Sequence, residues 1–269
     1  MDLNLQNHVA VVTGGSSGIG RAVAEGFAEE GASVALWDIA EETESVADDI
    51  ARTGTVKTAG CNVDVTDLNA VKFALEKTQE ELGPVDHFVH AAAVGSGKFG
   101  FPFTNLTPQD WLHVLDVNVM GMVHVADVVS RAMMQRKQGT QIYIASVAGQ
   151  IGSPTDPPYS ASKAANINFA QCLARDLAPF GIRVNTVCPG MVKTPLNRAV
   201  WQAWNDRQTE DQKRTYEEWA DEKIRDIVPL GRWQKPQDIA DMVLFLSSSR
   251  AAEVTGQTIN VDGGYVMHW

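Results

Sequence analysis

Short apolar runs alternate with longer segments of helical periodicity along the whole chain. The apolar runs predict seven strands, at residues 8–13, 33–37, 56–63, 85–91, 141–146, 182–188 and 257–261. The segments between them predict helices at 18–30, 41–52, 67–82, 107–136, 158–179 and 236–248. Near-continuous apolar strands separated by helices are typical of parallel sheets covered on both faces. The pattern therefore predicts one α/β domain over residues 1–269, with a doubly wound, seven-stranded parallel sheet and helices on both faces.

One segment, residues 194–226, leaves this alternation. It is polar, contains Trp201, Trp204 and Trp219, and follows the sixth predicted strand. Long segments at the carboxyl ends of parallel strands usually serve the ligand site, which favours a substrate lid. A helical surface excursion, with its aromatic rings docked on the body of the domain, is the alternative.

The composition limits the kinds of partner. With 22 Lys and Arg against 33 Asp and Glu, the formal net charge is −11, which disfavours binding to nucleic acid or to an anionic membrane. The three cysteines lie far apart and form no C-x-x-C pair, so small apolar fillers in a reducing compartment are expected. The start shows no basic leader, and no apolar run approaches the roughly 20 residues of a membrane-spanning helix. We therefore expect a soluble cytoplasmic protein.

The turn TGGSSGIG (13–20) links the first strand to the first helix. Gly14, Gly18 and Gly20 stand where a tight turn, close approach of a ligand and close helix packing are needed. A helix N-terminus offers free N–H groups and a positive dipole to a pyrophosphate. The pattern predicts a dinucleotide-binding turn; a merely structural turn is the alternative.

Asp38 ends the second predicted strand, 18 residues after Gly20. A carboxylate there can accept both adenosine ribose hydroxyls and would repel a 2′-phosphate. No basic residue in the turn compensates, so the sequence favours NAD over NADP. The alternative for Asp38 is a helix N-cap.

Tyr159 and Lys163 are four residues apart in PPYSASKAA (157–165), at the predicted opening of a helix. Residues at i and i+4 share a helix face, so the phenol and the ammonium group are expected to be neighbours. On its own this spacing also fits an ordinary amphipathic contact.

Taken together, the TGGSSGIG turn, Asn118, Ser146 and the Tyr159/Lys163 pair resemble the short-chain dehydrogenase/reductase family. The resemblance covers essentially the whole chain and includes Asp64–Val65, Pro189–Gly190 and INVDGG at 259–264. It implies a Rossmann fold, and the layout is most similar to NAD-preferring polyol, diol and sugar dehydrogenases of the family.

The resemblance also implies the catalytic roles. Tyr159 is the base in alcohol oxidation and the acid in ketone reduction, and Ser146 positions the substrate oxygen. Lys163 holds the nicotinamide ribose and, with the positive nicotinamide, favours the phenolate. Asn118 holds a water that links Lys163 to solvent; a buried helix amide is its alternative.

Further residues are implied for the two ligands. Asp64 bonds the adenine amino group, and Ile19 supplies an amide to the pyrophosphate. The expected cofactor-binding residues are Gly14, Ser17, Gly18, Ile19, Gly20, Asp38, Asp64, Val65, Ala91, Ala92, Tyr159, Lys163, Val192 and Thr194. The expected substrate-binding residues are Ser146, Ala148, Gln150, Ile151, Pro158, Tyr159, Met191, Asn197 and Trp201.

The fourth strand departs from the family pattern. Family members usually end it with Asn-Asn-Ala-Gly, whereas this chain has His90, Ala91, Ala92 and Ala93. We expect His90 to replace part of the missing bracing as a neutral, internally bonded imidazole. The six histidines form no metal-ligand motif, so no metal is expected.

The sequence thus favours an NAD-dependent oxidoreductase that oxidises a secondary alcohol, such as a polyol, diol or sugar, to a ketone. A reductase of a ketoacyl or hydrophobic ketone substrate is the alternative, and a non-catalytic NAD-sensing protein is the alternative from another class. The resemblance implies a homotetramer, which a terminal aromatic, Trp269, also favours. A monomer is the alternative.

Overall fold

All seven strands pair in parallel in one sheet, in the order β3-β2-β1-β4-β5-β6-β7. The computed structural model describes residues 2–53, 56–153 and 155–267. The strands are β1 (Val9–Thr13), β2 (Ser33–Asp38), β3 (Thr58–Asn62), β4 (His87–His90), β5 (Gly139–Ile144), β6 (Ile182–Pro189) and β7 (Thr258–Val261). The predicted doubly wound sheet is confirmed. The chain order reverses between β1 and β4, and ligands bind at such a switch point in open α/β sheets.

Nine α-helices lie within the described residues and connect these strands. They are α1 (Gly18–Glu29), α2 (Thr43–Thr53), α3 (Leu68–Glu81), α4 (Pro108–Leu115), α5 (Gly121–Arg136), α6 (Pro157–Leu177), α7 (Pro195–Asn205), α8 (Tyr216–Ile227) and α9 (Pro236–Ser247). Short 3-10 turns stand at Phe103–Asn105, Val147–Gly149, Ala178–Phe180 and Ser249–Ala251.

Alternating residues of the strands build one core on each face of the sheet. In β1, Val12 joins the core under α1, α2 and α9, whereas Val11 joins the core under α3, α5 and α6. Successive side chains of a strand point to opposite faces, so both must be apolar when both faces are covered. Cys61 and Cys188 are buried as expected, but Cys172 is exposed, so the filler role expected for it was wrong.

The helix predicted at 107–136 is not continuous. A π-helical segment at Asp116–Met120 separates α4 from α5 and carries Asn118. Such segments insert one residue into the helical register and are frequent at functional sites.

Residues 108–136 also meet the length and mean apolarity of a membrane-spanning helix. An 18-residue window has a mean hydropathy of 1.4, and 44% of that window is buried inside the protein. The helix packs against α3 and α6 in the layer that covers the sheet. An apolar face of this kind is what a core helix of a large domain requires.

The segment at 194–226 folds into α7 and α8. Their contact is a cluster of aromatic rings, in which Tyr216 and Trp219 are buried and Trp201, Trp204 and Trp233 are partly buried. A capping box between Thr215 and Glu218 begins α8. The rings therefore serve first to hold the two helices together, as the docked-aromatic alternative expects, and a lid function stays a prediction.

Candidate active site

The glycine turn follows β1 at the carboxyl edge of the sheet. Gly14 and Gly18 have φ of 65° and 54°, a region that favours glycine. A Cβ on Gly14 would lie 2.8 Å from the Ala92 nitrogen, and one on Gly20 would overlap the Gly14 carbonyl oxygen. Ser17 precedes α1 without capping it through its side chain. The first amides of α1 are thus left for an anionic ligand, which fits the pyrophosphate of a dinucleotide.

Asp38 lies half-buried at the end of β2, beside this turn. Its Oδ2 accepts a hydrogen bond from the Ser16 backbone N–H at 2.9 Å, and its Oδ1 accepts one from Ala40 N–H at 3.2 Å. These bonds fix the carboxylate next to the glycine turn, where it can meet an adenosine ribose. Thr43 begins the next helix, so Asp38 is not its N-cap.

The two residues expected around the adenine, Asp64 and Val65, follow β3, which pairs with the strand that ends at Asp38. Asp64 is exposed and its Oδ1 accepts hydrogen bonds from the N–H and hydroxyl of Thr66, while Val65 is buried. The carbonyl of Val65 accepts a bond from His124 at 3.0 Å. The structure thus brings Asp64 and Val65 to the same sheet edge as Asp38.

Thr13 fixes the chain after β4. Its hydroxyl oxygen accepts bonds from the N–H groups of Ala91 and Ala92, at 3.1 and 3.3 Å. The same hydroxyl lies 2.8 Å from His90 Nδ1. With its oxygen occupied by two amides, the hydroxyl donates to Nδ1, which assigns the His90 proton to Nε2.

His90 fulfils the expected bracing between β4 and β1. It is buried, and burial lowers its pKa to about 3, with Lys163 adding to the effect, so it is neutral. The expectation of a neutral, internally bonded imidazole is confirmed. Its Nε2 is buried without a hydrogen-bond partner among the described residues.

The connection from β6 to α7 passes over the glycine turn. Val192 is buried and pairs in a single bridge with Gln234, and Thr194 caps α7 by accepting a bond from Asn197 N–H at 3.2 Å. A Cβ on Gly18 would lie 3.6 Å from the Thr194 side chain. Val192 and Thr194 are therefore close to the dinucleotide site, while the partly buried Ile19 packs into the core below it.

Ser146, Tyr159 and Lys163 meet beyond the end of β5. Ser146 follows that strand, and its hydroxyl accepts a bond from Ala148 N–H at 3.1 Å. A Cβ on Gly149 would lie 2.6 Å from the Lys163 backbone, so only glycine lets the 3-10 turn approach α6 so closely. The Lys163 ammonium lies 5.5 Å from the centre of the Tyr159 ring. The structure brings together three of the four residues that the sequence proposes as catalytic.

Burial shifts the pKa values of Tyr159 and Lys163. Desolvation raises the pKa of Tyr159, and a hydrogen bond with Ser146 only partly opposes it. Lys163 is buried and donates to the Ile144 carbonyl at 2.8 Å, and burial lowers its pKa to about 8. The role of Lys163 in favouring the phenolate, which the resemblance assigns to it together with the nicotinamide, stays a prediction.

Asn118 is fully buried, with all its side-chain polar atoms engaged. Oδ1 accepts from Val94 N–H at 2.8 Å, and Nδ2 donates to the Val94 carbonyl and the Ser162 hydroxyl, both at 2.9 Å. The side chain therefore ties the loop after β4 to α6. The expected role of Asn118 in holding a water stays a prediction. Because its side-chain atoms are engaged, the backbone of Asn118 would have to bind that water.

The expected substrate-binding residues fall into two groups. Ala148, Ile151 and Pro158 flank Ser146 and Tyr159, with Ile151 exposed and Pro158 buried. The other four are engaged within the protein: Gln150 bonds reciprocally with Asn260, Asn197 accepts from Tyr216, Trp201 donates to Arg214, and Met191 packs on the aromatic cluster. Substrate contact by this second group stays a prediction.

Two site residues were missed by sequence reasoning. Thr13 was not considered, although its position beside His90 is the signal that could have found it. Asp156, three residues before Tyr159, is buried and was not considered. Its closeness in sequence to Tyr159 was the available signal.

Comparisons with known proteins agree with this geometry. A family profile described as enoyl-(acyl carrier protein) reductase matches residues 14–266. The 3-oxoacyl-[acyl-carrier-protein] reductase FabG of Thermotoga maritima is 32% identical, over 98% of this chain and 100% of its own. The acetoacetyl-CoA reductase of Synechocystis sp. is 34% identical, over 98% of this chain and 99% of its own.

A solved structure matches the whole fold. The L-sorbose reductase from Gluconobacter frateurii, solved with NADPH and L-sorbose, has a TM-score of 0.90 and 28% identity, over 100% of both chains. The two curated relatives named above are a 3-oxoacyl reductase and an acetoacetyl reductase, which fits the ketoacyl alternative better than polyol oxidation. This chain belongs to the short-chain dehydrogenase/reductase family, as an oxidoreductase acting on CH–OH or ketone groups.

Proposed function

We propose that this protein reduces a ketone with NADH and also catalyses the reverse reaction, the oxidation of the corresponding alcohol. The observation that carries the proposal is the meeting of Ser146, Tyr159 and Lys163 beyond β5, at the same sheet edge as the glycine turn. The nicotinamide supplies the hydride in this reaction, and the protein must supply the proton and the orientation.

The side chains divide that work. The Tyr159 hydroxyl donates its proton to the substrate oxygen in reduction, and its raised pKa keeps the phenol protonated before the reaction. The Ser146 hydroxyl bonds the same substrate oxygen and orients it. Lys163, close to the Tyr159 ring, would hold the nicotinamide ribose and return the proton.

Asp38 supports NADH as the preferred reductant. Its carboxylate is fixed beside the glycine turn by Ser16 N–H, so a ribose 2′-phosphate would meet a negative charge. The L-sorbose reductase was solved with NADPH, so this choice needs its own test. We expect kcat/KM for NADH to exceed that for NADPH by at least about tenfold, and Asp38→Asn to reduce the ratio. Equal values for the two reductants in the unaltered protein would contradict the assignment.

A 3-oxoacyl thioester is the first candidate substrate. The ketoacyl reductases match nearly the full length of this chain at 32–34% identity. Lys193 and Arg198 are exposed near the start of α7, where Lys193 lies over the Trp233 ring and Arg198 over the Tyr216 ring. The positive charges of these two side chains suit the phosphates of an acyl carrier. Polyol oxidation, the first expectation from the sequence, is therefore not proposed.

A hydroxyketone of the sugar type is the second candidate, favoured by the full-length match to L-sorbose reductase. The test measures NADH oxidation with acetoacetyl-CoA and with L-sorbose, side by side. Turnover of acetoacetyl-CoA alone supports the first candidate and turnover of L-sorbose alone the second. Turnover of neither, or turnover that survives Tyr159→Phe, would overturn the proposal.

A homotetramer in the cytoplasm completes the proposal. The terminal Trp269 that favoured assembly lies outside the described residues, so the argument rests on the family alone. Sedimentation velocity is expected to give a tetramer, and a monomer at micromolar concentration would contradict it.

A further inference from the structure

The adenine end of the proposed dinucleotide site is a short turn after β3, Asp64–Thr66. Asp64 Oδ1 accepts hydrogen bonds from the Thr66 N–H at 2.8 Å and from the Thr66 hydroxyl at 2.7 Å. Both bonds fall on one oxygen, so Oδ2, which no described residue bonds, can accept from the amino group of an adenine. The Val63 N–H, just before the turn, donates to the Asp38 carbonyl at 2.8 Å and keeps the turn beside the proposed ribose carboxylate.

Helix α5 contacts this turn through a histidine. His124 is half-buried on α5, and its Nδ1 lies 3.0 Å from the Val65 carbonyl oxygen. A carbonyl oxygen can only accept, so Nδ1 carries the proton and donates it to this bond. The bond joins the middle of the turn to a helix residue 59 positions further along the chain, so it holds the turn by a tertiary contact.

Gly121 lets α5 come close enough for this bond. It lies three residues before His124, and residues at i and i+3 are neighbours on a helix. A Cβ at Gly121 would lie 2.6 Å from Val65 Cγ2 and 3.2 Å from Val65 Cβ, so one of the two residues would have to shift. Val65 is itself buried, at 6% exposure, and has little room to move away. Gly121 therefore fixes the side chain of Val65, and His124 fixes its carbonyl.

We propose that His124 is a positioning residue for adenine recognition, which holds the Asp64–Thr66 turn in the form that presents Asp64 and Val65 to the base. The inference deepens the proposed function and rests on its assignment of these two residues to the adenine. His124 acts through the Val65 carbonyl rather than through a bond of its own to the base. The alternative is a purely structural link between α5 and the turn, which would not distinguish one base from another.

Two ligands that differ only at the base separate adenine recognition from a purely structural link. NADH carries the adenine amino group, whereas reduced nicotinamide hypoxanthine dinucleotide carries a carbonyl oxygen in its place, which cannot donate to the Asp64 carboxylate. Dissociation constants for both are measured with the full-length protein by the fluorescence of the reduced nicotinamide. We expect the unaltered protein to bind NADH more tightly than the hypoxanthine dinucleotide.

His124→Leu removes the hydrogen-bond donor from α5. We expect its dissociation constant for NADH to rise about five- to tenfold, the size of one lost hydrogen bond, and that for the hypoxanthine dinucleotide to change by less than about twofold. His124→Asn should restore most of the NADH affinity, because its side-chain amide offers a donor close to the position of Nδ1. His113→Leu is the matched control, because His113 is exposed on α4 and its replacement should leave both constants unchanged.

Gly121→Ala tests the same contact without removing a hydrogen-bonding group, and it replaces His124→Leu if that variant fails to fold. Alanine is a better helix former than glycine, so the substitution does not weaken α5 itself. Its Cβ would displace Val65 and with it the turn. The same selective loss of NADH affinity is therefore expected.

Equal weakening of both dinucleotides, or unchanged NADH affinity in the variants at His124 and Gly121, would overturn the inference. Equal affinity of the unaltered protein for the two dinucleotides would also overturn it, because Asp64 would then not bond the adenine amino group. Binding requires no turnover, so the result is separate from the reaction. A selective loss in a protein that reduces neither acetoacetyl-CoA nor L-sorbose would sink the proposed substrates and leave the role of His124 standing.

Discussion

Mild acid is expected to destabilise this protein through two histidines that are buried in β4. His87 Nε2 lies 2.8 Å from His8 Nδ1, and its Nδ1 lies 2.8 Å from the Thr140 hydroxyl. His90 bonds Thr13 in the same strand pair. Burial is the main cause that lowers the pKa of each to about 3, against an ordinary value of 6.5. Both must therefore stay neutral in the folded protein and can gain a proton freely only on unfolding.

The direction and size of the effect follow from these pKa values. A lowered folded-state pKa gives stability that is complete above pH 6.5 and is lost as the pH falls from 6.5 towards 3. Between pH 7.5 and pH 5, each histidine costs about 2 kcal/mol of unfolding free energy. That figure barely depends on the folded-state pKa as long as the pKa stays below about 4. The two histidines together predict a loss of about 4 kcal/mol.

Urea unfolding at pH 7.5, 6 and 5, followed by circular dichroism, measures this loss. His90→Asn should remove about half of the pH dependence and His87→Asn/His90→Asn nearly all of it, whatever their stability at pH 7.5. His113→Asn is the control, because His113 is exposed on α4 and its replacement should not change the slope. The reasoning is refuted if the double variant loses as much stability on acidification as the unaltered protein.

Two more substitutions test the nucleotide site. Gly20→Ala should abolish detectable NADH binding, because its Cβ would overlap the Gly14 carbonyl oxygen. Gly152→Ala is the control, because a Cβ there meets nothing within 4 Å, and this variant should bind NADH normally. Fluorescence titration with NADH compares the two variants. Thr13→Val removes the hydroxyl shared by His90, Ala91 and Ala92, so it should cost about 1–3 kcal/mol of unfolding free energy and weaken NADH binding. Retained stability in that variant, measured by urea unfolding, would contradict the bracing role of Thr13.

The sheet and the dinucleotide turn were predictable because local pattern and tertiary structure agree there. The central strands β1 and β4 are buried on both faces, so apolar runs such as VAVVT mark them directly. Gly14 and Gly20 leave no room for a Cβ, and Gly14 and Gly18 have a positive φ that favours glycine, so the spacing of the three predicts the turn. Tyr159 and Lys163 were found because their helical spacing occurs together with Ser146, Asn118 and the TGGSSGIG turn, the set on which the family resemblance rests.

Other features depend on contacts that sequence pattern does not encode. The π-helical segment at Asp116–Met120 leaves the apolar pattern of a long helix almost unchanged, so it was predicted as continuous. Trp201 and Trp219 fit equally well in a lid that binds substrate or in a cluster that joins two helices, and the structure supplies the second arrangement. The pKa of Tyr159 depends on desolvation, which exists only once α6 packs against β5 and β6.

The function of Tyr159 is the central claim, and one comparison tests it most directly. NADH binding and NADH oxidation are measured for the unaltered protein and for Tyr159→Phe, with acetoacetyl-CoA and L-sorbose as substrates. The account predicts unchanged NADH affinity and a loss of turnover of at least about 100-fold, the usual contribution of a positioned general acid. A Tyr159→Phe protein that binds NADH and still reduces the ketone at a comparable rate would contradict it.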